Sequence, residues 1–412
     1  MKPGLLPFDD ALAALLDNAA AVPETESLDT IDCAGRVLAA DVRSTIDVPP
    51  HDNTQMDGYA VRRADLLDAS EQSPVRLPVA QRIPAGHVGG PLAPGEAARI
   101  FTGGFIPAGA DAVVMQEQVQ AEDDAVVFTR CPEPGAWIRR AGEDIRRDSV
   151  ILPAGTRLSP QATGLAASVG LARLDVRRRV RVACFFTGDE LVMPGEPLRP
   201  GAIYNSNRFV LVSLLRALGC EVLDLGIVPD SLEATRAALR RAARESDLIV
   251  TSGGVSVGEE DHVKPAVEAE GELRLWQIAM KPGKPLAYGR VRGGDAAEPF
   301  AHFIGLPGNP VSSFVTFVLM VRPFVLRLQG VVDVRPPAIP MRADFDWPRP
   351  DRRREFLRVR INERGGLERF PNQSSAVLTS TVWGDGLVDN PPQQSIAPGD
   401  VVRYLPFAAL LN

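Results

Sequence analysis

Three glycine-bearing stretches stand out for what they could hold. Thr187-Gly188-Asp189-Glu190, Thr251-Ser252-Gly253-Gly254-Val255-Ser256-Val257-Gly258 and Gly305-Leu306-Pro307-Gly308-Asn309-Pro310 each sit at the end of an apolar run. Glycine permits close backbone approach to a ligand. N–H groups at a helix start, joined by Ser and Thr hydroxyls, form a cradle for phosphate. Met280-Lys281-Pro282-Gly283-Lys284-Pro285 adds two lysines in a proline-stiffened turn, and such a pair can hold an oxyanion or phosphate as point charges. Tight turns and solvated surface are the plain alternatives for one such loop or one such lysine. Their recurrence favours a binding role. Neither the dinucleotide pattern G-x-G-x-x-G nor the P-loop pattern G-x-x-x-x-G-K-[ST] is matched, which disfavours a hydride carrier and a P-loop ATPase.

Three carboxylates accompany these loops: Glu190, Asp230 and Asp261. Oxygen ligands beside phosphates suit Mg2+. Asp230 and Glu233 also have capping-box spacing, so Asp230 reads equally as a helix N-cap. Asp261 reads equally as an acid favouring a helix dipole. No catalytic triad is evident. Ser256 lacks a G-x-S-x-G setting, and His262 reads as a helix-face residue.

The elements that must position these groups follow from periodicity. From Arg179 onward strands and helices alternate: strands over 180–186, 222–228, 248–250, 285–291 and 301–306, and helices over 207–218, from 232, and over 311–328. Phe209, Val212, Leu215 and Leu218 define the apolar face of the first of these helices. The alternation implies a mostly parallel, three-layer α/β unit, 179–330, in which ligands bind beyond the carboxyl ends of the strands. An amphipathic helix carries Phe8, Leu12, Leu15, Leu16 and Ala19. Segment 49–137 has short strand-like runs between Gly/Pro turns and reads as a small β-rich domain inserted between 1–48 and 138–178. In 331–412, Leu357, Val359 and Ile361 alternate with Arg358 and Arg360, a period of two that reads as a small terminal β domain.

Composition bounds the rest. At roughly 100–200 residues per domain, 412 residues favour several domains. A net charge of -7 and sparse aromatics argue against a nucleic-acid binder. Cys33, Cys131, Cys184 and Cys220 are dispersed, which fits neither a zinc site nor a disulfide framework and fits a reduced cytoplasmic setting. Met1 to Phe8 lacks a signal-peptide core, and Val311–Leu328 is too interrupted by polar residues for a bilayer span.

Several motifs then fall in order along the chain. Pro49-Pro50-His51-Asp52-Asn53-Thr54-Gln55-Met56-Asp57-Gly58-Tyr59-Ala60 resembles the signature of the molybdopterin molybdenumtransferase family, the MoeA type also found in gephyrin-like proteins. Thr102-Gly103-Gly104 with Pro107-Ala108-Gly109-Ala110-Asp111-Ala112-Val113-Val114 resembles its second signature, and Gly142-Glu143-Asp144-Ile145 a third. Residues 251–264, 281–285 and 305–313 resemble its pterin-binding stretches.

The resemblance implies a four-part chain: a dimerising segment interrupted by the inserted β domain, the α/β domain and a terminal β-barrel. It implies a homodimer whose site lies between the α/β domain of one subunit and the inserted domain of the other. Catalytic roles are implied for Asp57, Thr102, Glu190 and Asp261, and Mg2+ ligation for Glu190, Asp230 and Asp261. Substrate binding is implied for Asp230, Ser252, Gly253, Gly254, Ser256, Lys281, Lys284, Pro307, Gly308, Asn309, Pro310, Arg358 and Ser375. The implied substrates are molybdate and adenylyl-molybdopterin. Transient contacts with the molybdopterin adenylyltransferase and acceptor molybdoenzymes follow, with no nucleic-acid or membrane partner. The terminal domain departs most from the family: Gln373-Ser374-Ser375 stands where Gln-Gly-Ser is usual, and Pro391-Pro392 follows Asn390.

Two rival readings remain. One is an adenylyltransferase, which shares the α/β domain type but usually lacks the flanking regions. The other is a non-catalytic scaffold for a partner peptide. Molybdate and tungstate are tetrahedral dianions of near-equal size, which the sequence does not separate.

Overall fold

The computed structural model describes residues 5–254, 262–294 and 300–411; Ser256 and Asp261 lie outside the described residues. At its centre is a six-stranded sheet in the order Glu221–Ile227, Arg181–Phe186, Leu248–Ser252, Phe300–Leu306, Pro285–Arg292, Gly271–Gln277. The first four strands are parallel and the fifth runs antiparallel to its neighbours. Register brings Phe186, Ser252 and Leu306 level across three strands, so the loops that follow them leave from one edge. The antiparallel strand starts at Pro285 and delivers the two-lysine turn to that same edge. The last strand, Gly271–Gln277, was not anticipated from the sequence.

Helices cover both faces. Ser206–Ala217 begins at the N-cap Asn205, whose side chain accepts from the Arg208 N–H. Its buried face is Leu211, Val212, Leu215 and the following Leu218, whereas Phe209 is 52% exposed, a correction to the expected stripe. Helix Leu232–Glu245 is capped by Ser231, whose Oγ accepts from Ala234 at 3.3 Å; Asp230 is therefore not the cap. The apolar stretch Pro310–Leu328 is helical throughout and 94% buried, so its hydropathy belongs to the core of the fold.

The first helix, Phe8–Leu16, packs Phe8, Ala11 and Leu15 into the same core, and the Leu6 N–H and C=O bond to Gln277 and Ala279. It thus sits on the α/β unit and not with the rest of segment 1–48. That remainder joins the segment after the insertion: Thr25–Asp29 pairs antiparallel with Arg173–Arg177, and Val42–Arg43 with Val150–Leu152. Between them, Asn53–Thr54 pairs with Ile138–Arg139 at the base of the inserted domain. The inserted sheet runs Ala112–Met115, Gly58–Val61, Ala97–Ile100, Val75–Ile83, Ala125–Phe128, Gln120–Ala121.

The terminal sheet runs Met280–Lys281, Arg354–Ile361, Gly386–Asn390, Val401–Pro406, Ile339–Arg342. Leu367–Arg369 pairs with Arg354–Ile361, and the Ala343–Leu367 bridge with the Asp344 N–H to Leu367 O bond closes the ring. The expected alternation in Arg354–Ile361 fails: Phe356, Leu357, Arg358 and Val359 are all buried, while Ile361 is exposed. The strand has a core on each side. Phe356 packs against Phe8 of the first helix, the ring centroids 5.2 Å apart and the planes tilted by 56°, while Leu357 and Val359 fill the barrel. Strands covered on both faces lose the period-two signature.

Candidate functional site

The loops at the carboxyl edge of the α/β sheet wall a cleft of about 1220 Å³, closed on its far side by residues 373–378 of the barrel. Of the residues expected there, Glu190, Ser252, Gly253, Gly254, Lys281, Lys284, Pro307, Gly308, Asn309, Pro310 and Ser375 line it. Asp230 stands beyond the end of the edge strand Glu221–Ile227 and is not among the lining residues. Arg358, Asp57 and Thr102 do not line it either.

The close packing of the loops explains their composition. Gly253 has φ +96°, and a Cβ there would stand 3.0 Å from the Thr187 carbonyl oxygen. Gly188 has φ +144°, and the Glu190 carboxylate folds back over it, its oxygens 2.5 and 2.9 Å from where a Cβ would stand. This is a backbone conformation that glycine adopts without strain. Asn309 occupies the N-cap position of the helix Pro310–Thr316 without a side-chain capping bond. The Val311 N–H at that helix start donates to the Ser375 carbonyl at 3.0 Å, so one donor expected for a ligand is held by the barrel instead.

The two lysines differ. Lys281 Nζ lies 3.1 Å from Glu355 Oε1 and 3.5 Å from Asp351 Oδ2. Glu355 is buried, and its other oxygen accepts from Trp347 Nε1 at 2.7 Å and from the Asp351 N–H at 3.0 Å. The Arg353 guanidinium, with Lys281 adding to it, holds the Asp351 carboxyl well below the usual carboxylate range. Lys284 is exposed, and among the described residues no carboxylate lies within ion-pair distance of it. Lys284 is therefore the lysine whose charge stays available to an anion.

Arg358 is a correction. Burial lowers its pKa to about 10, and no described carboxylate faces it. It donates to Ser380 Oγ, Phe356 O and Ser374 O, while the Gln373 amide bonds to both its N–H and its C=O. It braces the cleft-side loop of the barrel from within and reaches no solvent. The resemblance counted it among the substrate-binding residues of the terminal domain, and the alternating strand pattern gave no sign of its burial.

In the inserted domain, Asp57 and Thr102 meet across 45 residues of sequence. The Thr102 N–H and Oγ1 both donate to Asp57 Oδ1, at 2.8 and 2.7 Å. These bonds, helped by Arg99, hold the Asp57 carboxyl below its ordinary pKa. Arg99 lies over the rings of Tyr59 and Phe101, at 5.1 and 4.5 Å.

Among the described residues no group of three His, Cys, Asp or Glu side chains is close enough to hold a metal. Of the expected ligands only Glu190 faces the cleft, with Asp261 outside the described residues. The thiols offer no alternative: burial pushes Cys184 and Cys220 upward, the latter to about 12. Sequence reading overlooked Asn205, Asn207 and Gln373, which also line the cleft. Their signal was only the polar run at a helix start and the unusual Gln373-Ser374-Ser375 loop.

Glycine-rich loops at the carboxyl edge of a mostly parallel sheet, clasped by a β-barrel and joined to an inserted β domain, define a multidomain α/β protein. Residues 183–327 match the family described as a probable molybdopterin binding domain, residues 6–170 the MoeA N-terminal region (domain I and II), and residues 340–407 the MoeA C-terminal region (domain IV). The chain is 40% identical to the molybdopterin molybdenumtransferase of Haemophilus influenzae, over 99% of this chain and 100% of that protein. It is 36% identical to that of Synechococcus elongatus, over 92% and 93%. Two crystal structures of the molybdopterin biosynthesis MoeA protein from Pyrococcus horikoshii superpose with TM-scores of 0.78 and 0.84, at 33% and 29% identity and over 98% of this chain. This chain belongs to the molybdopterin molybdenumtransferase family.

Proposed function

We propose that this chain transfers molybdenum from molybdate to adenylylated molybdopterin with release of AMP. The observation that carries the reading is the cleft: Gly-rich loops and a lysine with an available charge converge there, in a chain of this family. Its volume of about 1220 Å³ exceeds the range of about 300–1,000 Å³ usual for small-ligand sites, as an extended pterin–nucleotide requires. Ser252, Gly253 and Gly254 face Pro307, Gly308, Asn309 and Pro310 across it, placing backbone and hydroxyl groups around phosphate oxygens. Lys284 supplies charge. Lys281 and Ser375 fix the barrel wall. The dithiolene sulfurs that take the metal belong to the substrate, in keeping with dispersed cysteines of which three are buried and Cys131 is half-buried.

Magnesium dependence is part of the proposal. Mg2+ takes one or two carboxylates with substrate phosphates and waters, and Glu190 is the described cleft carboxylate suited to it. When bound, the ion supplies Lewis-acid stabilisation of charge on the anhydride. The protein's own contribution is positioning and electrostatics in a preformed cleft.

A homodimer with a shared site belongs to the same reading. Its support is that Asp57 and Thr102 meet each other yet do not line the cleft of their own chain. A cytoplasmic setting, with transient contacts to the adenylyltransferase and acceptor molybdoenzymes, completes it. The test supplies purified protein with adenylylated molybdopterin, molybdate and Mg2+ and follows AMP. Release that needs molybdate and Mg2+ supports the reading. Tight nucleotide binding without release overturns it in favour of a scaffold.

A further inference from the structure

The cleft floor is made of two loops that come from different strands, Ser252–Gly254 and Pro307–Pro310, and something must hold them in register. One amide does so. Asn207 Nδ2, in the first turn of helix Ser206–Ala217, donates to Ser252 Oγ at 2.8 Å and to the Gly308 carbonyl at 2.8 Å. Ser252 Oγ passes its own hydrogen to the Pro307 carbonyl at 2.9 Å, and Ser313 Oγ reaches Ser252 Oγ at 3.4 Å. A Cβ on Gly308 would meet the Gly253 Cα at an ordinary van der Waals distance, 3.8 Å, so the loops lie about one methyl group apart where the amide joins them. Two loops, 45 and 101 residues from Asn207 in sequence, therefore share one NH2 group.

We propose that Asn207 is the positioning residue of the cleft: its amide is a two-donor clasp that holds both loops in the geometry that receives the ligand's phosphates. The chemistry requires an amide. Alanine offers no donor. An ionised aspartate offers acceptors only and opposes the Gly308 carbonyl. A protonated aspartic acid recovers one donor, so acidification restores part of the clasp in Asn207→Asp and nothing in Asn207→Ala. The assignment of the ligand as a nucleotide-bearing phosphate rests on the function proposed above; the clasp itself does not.

Two measurements on the full-length protein separate these. The first is amide hydrogen exchange without ligand, as the variant-to-wild-type ratio at each pH, read at Gly253, whose N–H bonds to Leu306 O, and at Val311, whose N–H bonds to Ser375 O. Both variants should lose protection at these amides by about tenfold while the sheet strands keep theirs, and Asn207→Asp should regain part of it between pH 7 and pH 4.5. Unchanged protection in both variants, or loss with no recovery in Asn207→Asp, overturns the clasp. The second is calorimetric titration with AMP. Binding weakened about tenfold in both variants, together with a loss through KM greater than through kcat when the same variants are run in the AMP-release assay, supports the positioning role; equal affinity overturns it. Wild-type protein that binds no AMP while exchange behaves as expected would sink the nucleotide reading and leave the clasp standing.

Discussion

Thr102 closes on Asp57 with two donors on a single oxygen: its N–H at 2.8 Å and its hydroxyl at 2.7 Å both meet Oδ1. Both bonds favour the ionised carboxylate, so its pKa is depressed. Thr102→Val keeps the N–H and removes the hydroxyl. The Asp57 pKa should rise toward its ordinary value, read by carboxyl-carbon NMR titration, and AMP release should fall more than about tenfold. An unmoved titration would rule out the hydroxyl as a cause of the depression.

The lysines should separate by readout. Lys284→Met should weaken AMP affinity about tenfold and flatten its salt dependence, with stability unchanged. Lys281→Met should instead leave Glu355 buried with one partner fewer and cost about 1–3 kcal/mol in urea unfolding. Combining it with Glu355→Gln should cost less than the sum of the two single changes. Additive costs would show that the pair at 3.1 Å carries no coupling.

Gly188→Ala should remove the Glu190 carboxylate from its place, because the new Cβ would stand 2.5 Å from one of its oxygens at φ +144°. The expected result is loss of AMP release with a melting temperature close to wild type, since the loop carries little of the core. A fully active variant would mean Glu190 reaches its working position from another rotamer.

Acid sensitivity should come partly from His302. Burial, with Arg290 beside it, lowers its pKa to about 4, and the Tyr288 hydroxyl lies 3.0 Å from its Nδ1. The unfolded chain takes up this proton near pH 6.5 and the folded chain only near pH 4, so the unfolded state binds more protons in between. Stability tied to His302 is therefore full above pH 6.5 and lost as pH falls toward 4, by about 3 kcal/mol. His302→Gln should remove that slope in denaturant midpoints measured from pH 7 to 4.5.

The α/β unit was legible because three of the four parallel strands are short apolar runs followed within two residues by glycine, and helix Leu232–Glu245 has a one-sided stripe. The cleft was legible for the same reason: chemistry-bearing residues follow those runs directly. What escaped has physical causes. Arg354–Ile361 is covered on both faces over most of its length, so its period-two pattern carried no sign that Arg358 is buried. Phe209 fits a helical stripe by spacing but sits outside the face that Leu211 and Val212 bury. Asn207 escaped because its bonds span 45 and 101 residues, and one polar residue in a helix's first turn carries no trace of such partners. Ion pairing of Lys281 was hidden likewise, since Asp351 and Glu355 lie in another domain.

Met280–Lys281 forms a strand of the barrel while belonging to the α/β chain, pairing with Arg354 and Glu355. Phe356, Leu387, Leu405, Phe407 and Leu410 of the barrel are part of the α/β core as well. The two units are thus mechanically one body, sewn by backbone and sealed by apolar surface. A protease cut within 331–338 should not release the barrel, and a chain ending there should aggregate through the face it has lost. Widening of the cleft must come from bending its loops, because sliding one wall against the other would tear a shared sheet.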